Sequence, residues 1–156
     1  MSERIDIRPA GGGDADFVAG LASSLLEFGS PAWEDPDALA PGFREVLAKA
    51  VHGQDARSNV LIAQGEDGTA LGFVSLKVGH DVTGNERGHV ADLAVVEGAR
   101  RRGVGRALMQ AAEAWARERG LPALSLDVWS TNERAIRFYR GLGYRPGSLC
   151  LIKTLE

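Results

Sequence analysis

The feature that most constrains this chain is an apolar strand that runs through an arginine- and glycine-rich turn into a helix. Residues 93–105 read Leu-Ala-Val-Val-Glu-Gly-Ala-Arg-Arg-Arg-Gly-Val-Gly. Gly103 and Gly105 have no side chain to keep a ligand from the backbone, and the first amides of a helix lack partners within it. Positive side chains are unfavourable at a helix N-terminus unless an anion binds there. The turn therefore predicts a diphosphate site, surrounded by Arg100, Arg101, Arg102 and Arg106.

Three phosphate-binding schemes place a glycine turn after a strand, and their residue spacing distinguishes them. A P-loop ends in Gly-Lys-Ser or Gly-Lys-Thr, and the chain contains neither tripeptide. A dinucleotide-binding turn has a third glycine where this chain has Leu108, and it lies in a βαβ repeat with an acidic ribose ligand, which does not follow here. The pattern that remains is Arg-x-x-Gly-x-Gly after a Leu-Ala-Val strand.

A second motif follows the first, separated from it by a predicted helix and a predicted strand. Residues 132–144 read Asn-Glu-Arg-Ala-Ile-Arg-Phe-Tyr-Arg-Gly-Leu-Gly-Tyr. In this order the two motifs resemble the signatures of the GNAT superfamily of N-acetyltransferases. The resemblance is close over residues 59–145. It departs at Glu97, Ala99 and Arg101, where family members commonly have a proline, an aromatic residue and a glycine.

The resemblance implies an enzyme that transfers an acetyl group from acetyl-CoA to a primary amine of a small molecule or peptide. In the family, the amine attacks directly within a ternary complex, and we expect no metal. The first motif wraps the coenzyme pyrophosphate, the strand before it pairs with the pantetheine arm, and the second motif adds further contacts. The coenzyme contacts implied for this chain are Leu93, Ala94, Val95, Arg100, Arg101, Arg102, Gly103, Val104, Gly105, Arg106, Asn132, Ala135, Phe138 and Tyr139.

Tyr139 is the candidate general acid. A phenol has a higher pKa than a thiol, so it can donate a proton to the departing sulfur, and the tyrosine of this Phe-Tyr pair has that role in many family members. On an amphipathic helix beside Phe138, the same side chain also fits an ordinary core position. Asn132 begins this helix, where it fits both a helix cap and the coenzyme contact that the resemblance implies.

The general base is open between four residues and no dedicated base. His89 is our first choice, because an imidazole titrates in the useful range and some family members have Glu or His at this strand position. A half-exposed strand histidine without a catalytic role fits the sequence equally well. Asp92, Glu86 and Asp127 are the alternatives.

The acceptor pocket is expected between a loop at 28–36, a loop at 79–88 and the end of a strand at 124–129. Its candidate substrate contacts are Trp33, Asp127 and Trp129. Aromatic side chains at a loop and a strand end are also common in ordinary packing. The acceptor itself stays open between a small molecule and a peptide.

Composition excludes several other classes of protein. With 156 residues, 44% hydrophobic and 25% charged, the chain matches an average soluble domain, and we expect one N-acetyltransferase domain over residues 1–156. No signal-peptide core or membrane-length apolar run is found, so we expect a cytoplasmic protein without a membrane partner. A net charge of −3 disfavours a nucleic-acid partner. Cys150, the single cysteine, is expected in a buried strand and excludes internal disulfides and cysteine-rich zinc sites.

Apolar periodicity and turn residues predict an α/β fold with a mixed sheet. The strand at 89–96, the helix at 103–119 and the strand at 124–129 form a right-handed parallel crossover, whereas Asp67-Gly68 suits an antiparallel hairpin. The sheet is therefore mostly antiparallel and flanked by helices, with a central parallel pair that the resemblance implies is splayed at the acetyl-CoA site. Further strands are predicted at 4–9, 60–63, 70–76 and 149–152, a loop at 33–41, and further helices from Asp14 to Phe28-Gly29-Ser30-Pro31, at 43–50 and at 134–142.

Two other functions fit parts of the sequence. The first is a CoA-binding sensor or regulator that keeps the pocket without turnover. The second is a nucleotide or nucleic-acid binder that uses the arginine turn, which ATP or an oligonucleotide would stabilise in place of acetyl-CoA. Unpaired edge strands also allow a homodimer.

Overall fold

The computed structural model of this chain describes residues 3–27 and 30–155, with strands and helices in alternating groups. The strands are β1 (Asp6–Pro9), β2 (Ser58–Gln64), β3 (Ala70–His80), β4 (Glu86–Val95) and β5 (Leu124–Leu126). The helices are α1 (Ala15–Gly20), α2 (Ala22–Glu27), α3 (Pro36–His52), α4 (Val104–Glu118) and α5 (Glu133–Gly141).

The five strands form one sheet in the order β1-β2-β3-β4-β5. Neighbours from β1 to β4 pair antiparallel, and β4 pairs with β5 in parallel. The mixed sheet, the hairpin and the parallel crossover through α4 are therefore confirmed. Helices lie on both faces: α4 buries Leu108 and Met109 on one side, while α1 and α3 bury Val18 and Leu47 on the other.

The parallel pair is short. Only Gly88–Val90 of β4 pair with β5, and β4 then continues alone on that side to Val95. At the same level Ser75 of β3 lies opposite Asp92 and Leu76 lies opposite Val90, so Ala91 is an extra residue in β4. An extra residue bends a strand and changes its twist, and here it lies where the two strands separate. The result is a gap beside the last residues of β4.

Several of the predicted elements have different bounds: β3 extends to His80, and β5 ends at Leu126. The first helix is divided at Leu21 into α1 and α2, and Phe28 and Gly29, predicted to end it, lie outside the described residues. The loop predicted at 33–41 is helical from Pro36, because Asp35 accepts a hydrogen bond from the Asp37 amide at 3.0 Å and proline fits the first position of a helix.

The strand predicted at 149–152 is wrong, and so is the burial predicted for Cys150. Residues 144–155 form no helix or strand, and Cys150 is exposed. An apolar run that suits a strand is present at 149–152, but a strand also needs hydrogen-bonding partners along its edge. Within the described ranges, no helix has the length and apolar character needed to cross a membrane.

Candidate active site

The turn after β4 presents unpaired backbone amides. A 3₁₀ turn at Glu97–Ala99 leads to Arg101 with φ 63° and Gly103 with φ 84°. Gly103 caps α4, whose first internal hydrogen bond runs from the Ala107 amide to the Gly103 carbonyl at 3.0 Å. The amides of the first turn of α4 therefore have no partner within the helix. A positive φ favours glycine, which explains why family members commonly have glycine where this chain has Arg101.

The two glycines of the turn serve different purposes. A Cβ atom at Gly103 would meet nothing within 4 Å, so this position is open and its positive φ is what requires glycine. A Cβ atom at Gly105 would lie 3.2 Å from Cζ of Phe138. Gly105 therefore makes room for the α5 aromatic ring, a packing role that the sequence alone does not reveal.

The four arginines around the turn divide into two groups. Arg100 donates a hydrogen bond to Ser24 Oγ at 3.0 Å and thereby ties the turn to α2. Arg102 forms an ion pair with Glu3 and donates to the Gly98 carbonyl at 3.3 Å. Arg101 and Arg106 are exposed beside the amides of α4. A bound anion would therefore interact most directly with Arg101 and Arg106.

A cleft of about 350 Å³ lies between the helix pair α1–α2 and the turn. Its lining includes Leu21, Ser24 and Glu27 from the helices and Val96, Glu97 and Arg100 from the end of β4 and the turn. Arg100 therefore lines this cleft and belongs to the turn that leads into α4. Neither Ser24 nor Glu27 carries a sequence signal that marks it as part of a site.

His89 lies at the base of the gap between β4 and β5. Its Nδ1 is 2.9 Å from Ser125 Oγ, and its Nε2 is 3.6 Å from Oδ2 of the exposed Asp127 carboxylate. Burial lowers the pKa of His89 below its ordinary 6.5; Asp127 opposes that shift, and the positive charges of Lys77 and Arg87 add to it. The imidazole is therefore neutral at pH 7. Ser125, which the sequence did not mark, is the partner opposite His89 in the parallel pair.

The charge of Asp92 acts on the Tyr139 phenol. Burial raises the pKa of Asp92, while a hydrogen bond of 3.1 Å from Ser75 Oγ and the charge of Lys77 oppose that rise. Burial raises the pKa of Tyr139 to about 12, and Tyr144 and Asp92 add to that increase. The Tyr139 phenol is therefore protonated throughout the neutral range, and it stacks edge-on against its aromatic neighbours.

The remaining predicted residues are placed as follows. Asn132 caps α5, with its Oδ1 accepting from the Ala135 amide at 3.1 Å. Glu86 begins β4 and pairs with Arg57 at 2.7 Å, away from the gap. Trp33 and Trp129 are 57% and 37% exposed.

Comparison with known proteins shows which family has this arrangement. The sequence profile of the acetyltransferase (GNAT) family matches residues 21–144, which contain the turn, the gap and α5. The chain belongs to this family. The family predicted from the two motifs is confirmed, and so is the expectation of an N-acetyltransferase.

Curated relatives of this GNAT chain cover most of its length. A streptothricin acetyltransferase from Streptomyces lavendulae is 33% identical over 89% of this chain and 80% of its own. An aminoglycoside N(6')-acetyltransferase type 1 from Klebsiella aerogenes is 36% identical over 79% of this chain and 82% of its own. The solved structure of a GCN5-related N-acetyltransferase from Ralstonia eutropha JMP134 has a TM-score of 0.75 at 22% identity, covering 97% and 99% of the two chains. This last likeness shows the common fold.

The described part of this acetyltransferase brings together no group of three or more His, Cys, Asp or Glu side chains that could hold a metal ion. Its polar groups in the gap instead pair with one another or with serine hydroxyls.

The packing of Gly105 against Phe138 yields a stability prediction. Gly105→Ala should lower the free energy of unfolding by about 1–2 kcal/mol, because the added methyl group forces the ring and α5 to shift. The loss should be smaller in a Phe138→Leu background, where the ring is absent. Urea unfolding of the four proteins measures this coupling. Gly141→Ala is the control, since a Cβ atom there meets nothing within 4 Å; equal losses in both backgrounds would contradict the packing role.

Proposed function

We propose that this acetyltransferase transfers the acetyl group of acetyl-CoA to a primary amine of a small molecule, by direct attack in a ternary complex. In this proposal residues 1–156 form one cytoplasmic acetyltransferase domain. The observation that carries it is the adjacency of two unpaired backbone surfaces, the first amides of α4 and the free side of β4 after Val90.

The unpaired amides fit the coenzyme well. Those of the first turn of α4 would accept the pyrophosphate, with Arg101 and Arg106 supplying charge. The free side of β4 would pair with the amide groups of the pantetheine arm, as an added strand does. The full set of proposed contacts is that implied by the family motifs: Leu93, Ala94, Val95, Arg100, Arg101, Arg102, Gly103, Val104, Gly105, Arg106, Asn132, Ala135, Phe138 and Tyr139.

Acid and base would act from opposite sides of the gap. His89, neutral at pH 7 because burial lowers its pKa, would take a proton from the attacking amine. The amine nitrogen forms its bond to the acetyl carbon as the carbon–sulfur bond breaks. Tyr139, still protonated because its pKa is about 12, would give its proton to the departing sulfur. Asp127 beside His89 would attract an acceptor that arrives as an ammonium ion.

The acceptor class follows from the relatives and from the charge around the gap. One relative is named for an aminoglycoside, which is an amino sugar. Asp127 is 96% exposed beside His89, so an acceptor that carries amino groups would meet a carboxylate at the base of the gap. Trp33 and Trp129 are the other proposed acceptor contacts. A polyamine or amino sugar is therefore preferred over a peptide.

The proposal predicts both stabilisation and turnover. Acetyl-CoA at a hundredfold excess over its Kd should raise the melting temperature by about 5 °C or more, whereas ATP and an oligonucleotide should not. With amino sugars, polyamines and peptides as acceptors, thiol release should be fastest with the amino sugars or polyamines. Stabilisation without thiol release on any acceptor would indicate a non-catalytic coenzyme binder. No response to acetyl-CoA would exclude the proposed donor.

Tyr139→Phe tests whether Tyr139 is the general acid. It should lower kcat by about 100-fold or more, because the departing thiolate loses its proton donor, and should leave the Kd of acetyl-CoA within about twofold. Tyr144→Phe is the matched control, since this second tyrosine is also shielded from solvent and has a pKa raised to about 12. Steady-state kinetics and calorimetry measure the two quantities. An unchanged kcat in Tyr139→Phe would remove Tyr139 from the mechanism.

The pH profile separates His89 from Asp92. If His89 is the base, kcat/KM should fall as the pH drops below the lowered pKa of the imidazole, beneath 6.5, because the protonated ring cannot accept a proton. His89→Gln should abolish this acid limb and lower the plateau, whereas Asp92→Asn should keep the limb. The reverse pattern would assign the base to Asp92, whose pKa is raised by burial.

A further inference from the structure

His89 and Ser125 face each other in the paired part of β4 and β5. The parallel register places them directly opposite, one residue before the last pair, Val90 and Leu126. Neighbouring strands of a sheet lie about 4.8 Å apart, so the backbone holds facing side chains at contact distance. The 2.9 Å between His89 Nδ1 and Ser125 Oγ is therefore fixed by the pairing of the two strands.

The two ring nitrogens of His89 have different surroundings. Nδ1 faces Ser125, which is half-buried and whose Oγ also lies 3.3 Å from the Gly88 carbonyl oxygen. Nε2 faces the exposed carboxylate of Asp127 at 3.6 Å, which is beyond the range of a hydrogen bond. A neutral imidazole has one N–H hydrogen, and the hydrogen bond made at one nitrogen determines which nitrogen carries it.

The two neutral forms of the ring differ in the hydrogen bonds that they allow. With the hydrogen on Nδ1, the ring donates to Ser125 Oγ and the serine hydroxyl donates to the Gly88 carbonyl. With the hydrogen on Nε2, the hydroxyl must donate to Nδ1 and no longer donates to Gly88, and Asp127 is too far to accept from Nε2. Water that reaches Nε2 can donate to it or accept from it, so it does not distinguish the two forms. The Nδ1–H form has one more hydrogen bond within the protein and is favoured.

We propose that Ser125 is a positioning residue, which holds His89 in the Nδ1–H form and leaves Nε2 as the atom that accepts the proton. This role rests on the proposed function, in which His89 is the general base. The donated hydrogen bonds run from Nδ1 through the Ser125 hydroxyl to the Gly88 carbonyl, and they orient the ring as well as its hydrogen. A ring with its hydrogen on Nε2 cannot accept a proton on the side of Asp127.

Proton transfer then takes place beside the exposed Asp127 carboxylate. As the amine nitrogen bonds to the acetyl carbon, one N–H bond of the amine breaks and an Nε2–H bond forms, while the hydrogen on Nδ1 stays with Ser125. The imidazolium that results lies 3.6 Å from Asp127 Oδ2, and these opposite charges attract. Ser125 thus sets the form of the neutral ring, and Asp127 stabilises the charged one.

Nitrogen NMR of the resting protein tests the tautomer without any turnover. The protein is isotopically labelled at histidine and measured at about pH 8, where imidazole is neutral. His89→Gln identifies the His89 signals, and the exposed His52 and His80 are internal references. The wild type and Ser125→Thr, which keeps a hydroxyl, should have a protonated Nδ1 and an unprotonated Nε2, whereas Ser125→Ala should gain the Nε2–H form. A wild type with the hydrogen on Nε2, or a wild-type distribution in Ser125→Ala, would overturn the proposal.

Asp127→Asn distinguishes the two neighbours of the ring. This variant should keep the Nδ1–H form, because the hydrogen bond to Ser125 is unchanged. A tautomer that changes in Asp127→Asn and not in Ser125→Ala would assign the control of the ring to Asp127 and overturn the role of Ser125.

Kinetics separate positioning from a general structural role. Ser125→Ala should lower kcat about tenfold, a part of the about 100-fold or more that a general base contributes, and should leave the Kd of acetyl-CoA within about twofold. Ser125→Thr should restore most of the lost kcat. Ser58→Ala is the matched control, because Ser58 is also a half-buried strand serine whose hydroxyl contacts a backbone carbonyl, that of Gly53 at 3.4 Å, and it lies on β2. An unchanged kcat in Ser125→Ala, or an equal loss in Ser58→Ala, would contradict the positioning role.

The two sets of measurements also separate this role of Ser125 from the proposed base. If His89 is not the base, His89→Gln should keep the wild-type kcat while the tautomers are as expected. If His89 is the base but Ser125 does not position it, His89→Gln should lose activity while Ser125→Ala keeps both the wild-type tautomer and the wild-type kcat.

Discussion

The structure depends on a parallel strand pair that ends early. β4 and β5 share three pairs of residues, and Ala91, an extra residue in β4, lies where they separate. On the other side of β4, Gly72 lets β3 approach β4 closely. A Cβ atom at this position would lie 2.6 Å from the Ala94 carbonyl oxygen. β4 is therefore fixed on one side and free on the other, which leaves its main-chain groups available next to the first turn of α4.

Burial then selects the protonation states inside the gap. It lowers the pKa of His89 and raises the pKa values of Asp92 and Tyr139, and in each case the neutral form is favoured. A neutral imidazole and a protonated phenol are the forms that acetyl transfer to an amine requires of a base and an acid. Burial thus prepares both groups for the proposed chemistry.

Features encoded over a few residues were predicted well from the sequence. The glycine turn, the hairpin and the Asn132 cap depend on neighbours close along the chain. The parallel crossover was predicted too, because the strand–helix–strand order favours one handedness. Contacts between distant residues were missed. The Arg100–Ser24 hydrogen bond spans 76 residues and the His89–Ser125 contact spans 36, and nothing in the local pattern of Ser24 or Ser125 distinguishes them from surface serines.

The sequence by itself determined the order of elements as far as α5, the family and the place of the glycine turn, because spacing and turn residues act locally. Tertiary structure decided that Gly105 accommodates Phe138 and that Glu86 pairs with Arg57 outside the gap. It also decided that residues 149–152 form no strand. An apolar run supplies the side chains of a strand, but it does not supply the edge with which that strand pairs. That edge exists only after the sheet has assembled, and so only the folded chain shows which strands are paired.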